Sequence, residues 1–232
     1  MGRLNLGVAA LQHAQFDAAR AELDSARALA RLLGRRQLEI PALLNLSALE
    51  LALGRCAAAA ELAVEAAAMA HTLRHTEFEA FARLSEGSAQ LELGDAAAAR
   101  SALQAACDGM LALGMSHLAV EAQAGLARAA LDTGAAAQAL AQLEPVLALH
   151  AEQGHFNGTE RPLTIYLIGW QVLHAVADKR AAGWLQSAWQ ALLAKAAKLA
   201  DAADRERFIA AHRHHAELRR LALANGLANV LG

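Results

Sequence analysis

Apolar and small residues return along this chain every 40 positions. The phrase L-x-x-G occurs at Leu51–Gly54, Leu91–Gly94 and Leu131–Gly134, and Leu11 stands one interval earlier. Three columns run downstream of it: Ala19, Ala59, Ala99, Ala139; then Leu23, Ala63, Leu103, Leu143; then Ala26, Ala66, Ala106, Val146. Upstream runs a column of small residues, Gly7, Ser47, Gly87 and Ala127. Steps of four and three within each line mark one helical face, and the glycine supplies the positive φ that ends a helix. Each unit therefore reads as two antiparallel helices, A and B, which approach closely where the small residue faces the opening of helix B. A fifth copy, with Gly169, Ala181, Leu185 and Ala188, follows a two-residue slip in the turn-rich stretch 152–162, EQGHFNGTERP.

No hairpin of this kind buries its own apolar face, so the units stack. Five helix pairs are expected over residues 1–200, divided at about 1–36, 37–75, 76–115, 116–155 and 156–200. The pattern stops at Asp201. Residues 201–224, apolar at Phe208, Leu218 and Leu221 and charged opposite, are expected to form one capping helix, and 225–232 a flexible tail. Pro145 falls inside the fourth helix B, where a ring without an N–H is expected to bend it.

The line NLGVAALQHAQFDAARAELDSARALA, from Asn5 to Ala30, resembles the tetratricopeptide repeat (TPR) in its L-G, its small residue and its A-x-x-x-[FL]-x-x-A. The resemblance covers residues 3 to about 200 and implies an all-α, right-handed solenoid that binds protein or peptide partners. The interval is 40 rather than the usual repeat of about 34. The family's large aromatic early in helix A is replaced by Arg3, Leu43, Arg83 and Gln123. HEAT and armadillo repeats have similar periods but do not account for these columns. The end of the chain, with Arg205 or Arg207, Phe208, Ile209 and His215, is similar to the C-terminal arms of large bacterial signal-transduction ATPases and transcriptional regulators. That similarity implies a sensing or adaptor arm, with further domains ahead of it or a stand-alone existence.

Composition narrows the chemistry. Charged residues are 19% and the net charge is −2, so no electrostatic footprint for nucleic acid or an anionic membrane is present. There is no G-x-x-x-x-G-K loop and no G-x-S-x-G elbow, and no enzymatic activity or cofactor is expected. Cys56 and Cys107 read as thiols in a reducing compartment. The repeat register passes through MGRLNLGVAALQHAQ, which reads as a folded helix rather than a signal peptide. The longest uncharged run, Pro162–Ala177, is short of the roughly 20 residues that span a bilayer. The expected location is the cytoplasm.

Five groups are candidate sites. His71, His75 and Glu79 have metal-ligand spacing, but a predicted turn divides them, and no metal site is expected. The run His212–His215 reads as a solvated helix face that titrates near neutrality. Arg27, Arg31, Arg35 and Arg36 suit a helix C-terminus. Helices A are expected to line the concave face, which makes Asn5, Asn45, Ser88, Glu92, Arg128, Asp132, Tyr166 and Trp170 the candidate partner-binding residues. Their basic and amide members are scattered, so no carboxylate clamp is expected. The fifth unit gathers Tyr166, Trp170, Trp184 and Trp189, either as core or as an aromatic anchor. The alternatives to a protein partner are a small ligand or signal peptide in the groove and, further down, nucleic acid. The open flank of the first unit also allows self-association.

Overall fold

The computed structural model describes residues 2–227. Among them the chain forms α1 (Gly2–Gln12), α2 (Phe16–Leu32), α3 (Glu39–Ala52), α4 (Cys56–Thr72), α5 (Thr76–Leu93), α6 (Ala96–Ala112), α7 (Ser116–Asp132), α8 (Ala136–Gln153), α9 (Pro162–Ala175), α10 (Ala181–Ala196), α11 (Ala202–Ala211) and α12 (Arg213–Ala224). A short 3-10 turn, Arg36–Leu38, leads into α3. Odd-numbered helices are the A members, even-numbered the B members, and consecutive pairs stack into an all-α solenoid.

The interval of 40 is two intervals of 20. Positive φ recurs at Ala14, Gly34, Gly54, Arg74, Gly94, Gly114, Gly134 and Gly154, alternately at A-to-B and B-to-A turns. At seven of these the next amide reaches back five residues, as in Arg35 N–H to the Ala30 carbonyl (2.9 Å) and Met115 N–H to Met110 (2.9 Å). That bond closes a Schellman turn and satisfies a carbonyl the helix would leave open. The long period therefore comes from longer helices, 17 or 18 residues in α2 and α4–α8, and not from longer connections. Ala14 and Arg74 take the left-handed conformation without the glycine that makes it cheap.

The columns lie where the helices cross. Gly7, Ser47, Gly87, Ala127 and Gly169 are all buried. A Cβ added at Gly7 would meet Leu23 Cγ at 2.7 Å, and one at Gly87 would meet Leu103 Cγ at 2.5 Å. In the second unit the pairing is reversed in size. Ser47 stands on α3, its hydroxyl donating to the Ala59 carbonyl at 2.8 Å, and Ala63 replaces the leucine on α4. Charged contacts tie neighbouring units as well. Arg27 and Arg31 pair with Glu65, and Arg31 also with Glu39 at 2.8 Å, so this arginine group bridges the first two units.

The last unit departs from expectation. Residues 201–224 are two helices, α11 and α12, broken at His212, whose ψ of 118° is extended. Asp201 caps α11 by accepting from Ala203 N–H (2.6 Å). Ile209, Leu218, Leu221 and Ala222 join the core of α9 and α10, so this is a sixth, shorter pair and not a lone cap. Of the tail expected at 225–232, Leu227 packs on the same core and its N–H bonds to the Ala222 carbonyl (3.0 Å). Residues 228–232 lie outside the described residues. α8 runs through Pro145 without interruption. No described helix is long and apolar enough to cross a membrane.

Candidate functional site

Because the units wind, their A helices converge on a common channel. A cavity of about 670 Å³ lies there, lined by α1, α3, α5, α7 and α9 and by the last unit. One end is stopped by the α11–α12 turn. The His212 ring meets Phe16 of the first unit edge-on, with centroids 5.3 Å apart. Arg213 pairs with Glu92 at the end of α5. His214 is held between Glu92 (Nε2 to Oε1, 3.2 Å) and the Thr164 hydroxyl (Nδ1, 2.9 Å). The hydrogen bond from His214, and after it the charges of His214, Arg213 and Arg128, hold the Glu92 carboxyl below its ordinary range.

Across the channel Arg161 spans from the loop before α9. Its Nε donates to Glu121 Oε1 at 2.8 Å, its backbone N–H donates to Glu121 Oε2 at 3.1 Å, and its guanidinium also reaches the Ser88 hydroxyl. Glu121 is buried, so this arginine is the compensation that lets a carboxylate sit in the wall. The loop that absorbs the two-residue slip is thus the element that delivers Arg161.

The eight candidate residues divide. Asn45, Ser88, Glu92 and Arg128 line the channel. Arg128 donates to Asp132 (2.7 Å) and Gln171 (2.7 Å), which places Asp132 at its exposed edge. Asn5 is exposed and stands outside the channel lining. Tyr166 is buried and its partner-facing role is corrected: its ring packs on Phe156, His150 and Trp184, and its hydroxyl meets His150 Nε2 at 3.0 Å. Burial pushes that phenol up to about 12. Trp184 donates to the Tyr166 carbonyl (2.8 Å) and, with Trp189, is core. Trp170 is half-buried, stacked on His174 at 4.6 Å, and does not line the channel. Tyr166 is interior because α9 is apolar and buried from Ile165 to Gly169.

The histidine run is also corrected. It is not a solvated face. His215 Nδ1 sits 2.9 Å from the Phe208 carbonyl oxygen, with its ring 4.5 Å from Phe208 and 4.5 Å from His212. Burial pushes His215 down to about 3 and His212 down to about 4, the latter against a smaller opposing pull from the Leu11 backbone. Arg205 donates to the Leu199 and Ala200 carbonyls after α10, so the terminal motif of Arg205, Phe208, Ile209 and His215 is packing and capping machinery. His71 and Glu79 approach to 3.1 Å across the α4–α5 turn, and no group of metal-ligating side chains forms among the described residues. Sequence reasoning missed Arg161 and the histidine plug, because both depend on the superhelix bringing distant units together.

No family model and no curated protein matches the chain. Among solved structures it is similar to the nearly identical TPR-like repeats of a kinesin light chain-type protein from Podosopora anserina. The TM-score is 0.60 at 19% identity, covering 85% of this chain and 96% of that one. At that identity the likeness concerns the fold. The 20-residue turn rhythm, the small-residue crossings and this structural likeness together make the chain an all-α solenoid of TPR-like repeats.

Proposed function

We propose that this protein is a non-catalytic interaction scaffold, serving as the sensing or adaptor arm of a cytoplasmic bacterial signalling or transcriptional regulator. The observation that carries the reading is the convergence of five A helices on one channel that presents Asn45, Ser88, Glu92 and Arg128. Conserving a repeat scaffold leaves the inward side chains free to specify a partner. Affinity capture from the native cell tests it. A partner retained by the wild type and lost with Ala48→Arg, which fills the channel wall, supports the reading. Equal capture by both refutes the channel as the contact surface. The first unit's exposed Leu6, Leu29, Leu32 and Leu33 supply a separate apolar face for a neighbouring domain or a second copy.

A second reading rests on the plug. With one end stopped by His212 and Arg213, the channel is a cavity of small-molecule size, within the roughly 300–1,000 Å³ of ligand pockets. In this reading the bound species is a small signal, and the scaffold reports its presence.

A further inference from the structure

The channel lining is mixed, but its charge is uneven. The first three units supply apolar side chains, among them Leu11, Leu44, Leu51, Phe78, Phe81 and Leu84, beside Asn45, Ser88 and Glu92. The last three supply Leu163, Ile165 and Leu167 together with the arginines and lysines, and most of these cations are already matched. Arg128 has Asp132, Arg161 has Glu121 and Arg213 has Glu92. Two cations are left over. Lys195, in the last turn of α10, and Lys198, just beyond it, both line the channel, and among the described residues neither forms an ion pair. Burial, and then Lys198, push the Lys195 ammonium down, the signature of a cation without a counter-ion. A third group points to the same pole. His212 lines the channel, and its Nε2 is buried without a hydrogen-bond partner. Its ring touches His215, which itself feels the charge of Lys195. A buried polar atom without a partner calls for one.

We propose that the channel binds an anionic amphiphile. Its hydrocarbon body lies on the apolar side chains of α1, α3 and α5, and its carboxylate or phosphate head meets Lys195 and Lys198, beside the His212 ring with its buried Nε2. The inference rests on the small-ligand reading above and names the ligand's chemistry. Area removed from water along these apolar side chains drives binding, and the unmatched charges orient the ligand. A cationic or uncharged amphiphile would leave the partly buried Lys195 unneutralised.

The test is calorimetric titration of the full chain with decanoate, decyl phosphate, 1-decanol and decyltrimethylammonium, each below its aggregation limit. A saturable site is expected for decanoate or decyl phosphate, and which of the two binds more tightly identifies the head group. The Lys195→Gln, Lys198→Gln double variant is expected to bind at least roughly tenfold more weakly, the scale of a lost charge-assisted contact. It should melt like the wild type, since neither lysine has an intramolecular ion-pair partner to lose. If 1-decanol binds as tightly as the anions, or the double variant binds like the wild type, the anionic head site is refuted while a ligand channel stands. If none of the four binds saturably, both the head site and the small-ligand reading fall.

Discussion

Gly87 carries the sharpest quantitative consequence of the repeat geometry. An alanine Cβ there would lie 2.5 Å from Leu103 Cγ, 2.9 Å from Cδ2 and 3.1 Å from the Leu103 backbone nitrogen. Leu103 is fully buried and has no free direction to retreat, because a Cβ at Gly125 of the next unit would already meet its Cδ1 at 2.8 Å. Overpacking of this kind costs about 1–3 kcal/mol, and two side-chain contacts below 3.0 Å on a leucine that cannot retreat place Gly87→Ala at about 3 kcal/mol. Alanine returns about 1 kcal/mol of helix propensity, leaving a net loss of about 2 kcal/mol. For a chain of this length that lowers Tm by about 4–8 °C. Leu103→Ala alone should cost about 2–5 kcal/mol, but it removes the two side-chain atoms that Gly87→Ala strikes and leaves only the longer backbone contact of 3.1 Å. In that background Gly87→Ala should be neutral or stabilising by up to about 1 kcal/mol. The assay is a double-mutant cycle read by urea unfolding, with a coupling of about 2 kcal/mol or more. Equal destabilisation by Gly87→Ala in both backgrounds, or none in the wild type, would refute the crossing geometry.

Other consequences follow from single features. Arg161→Ala should destabilise by about 3 kcal/mol, since it strips the buried Glu121 of its side-chain partner; chemical denaturation measures the loss, and Glu121→Gln with Arg161 intact should cost less. Arg74→Gly should raise Tm by about 1–2 °C, because relief of a left-handed arginine slightly exceeds the added chain entropy. Acid should loosen the last unit. His212 and His215 titrate at about 4 and about 3 when folded, below the ordinary value of about 6.5. As pH falls below that value the unfolded chain takes up protons first and stability drops, on the order of 2 kcal/mol per ring by pH 5. Glu92, held low, adds its loss only further down, as pH falls through its own depressed value. Thermal melts between pH 7 and 5 check the sign, and a flat Tm over that window contradicts it.

The sequence carried the local part of this account. The columns through Gly87 and Leu103 are contacts within one hairpin, and residues four apart on a helix cannot avoid sharing a face. The half-interval was written less clearly. Gly34 and Gly114 repeat the rhythm of Gly54 and Gly94, but Ala14 interrupts the glycines of the A-to-B turns and Arg74 those of the B-to-A turns. Tyr166 shows the limit of counting positions. Its register is that of a channel residue, yet the two-residue slip and the loop with Phe156 rotate it into the core. Ser88 and Arg161 lie 73 residues apart and Glu92 and Arg213 lie 121 apart, distances that no periodicity within a unit can encode. The same holds for the histidines at 212–215, whose burial depends on how far the superhelix winds.

The most direct test of the closed channel is backbone hydrogen exchange over residues 208–221, compared between wild type and Glu92→Gln. The plug predicts that these amides are protected in the wild type at a level close to α10. In Glu92→Gln they should exchange faster, together with the 11–16 turn of the first unit, while α6–α8 stay unchanged. Unprotected exchange of 208–221 in the wild type, or no response to the loss of the Glu92 charge, would contradict a last unit seated in the channel.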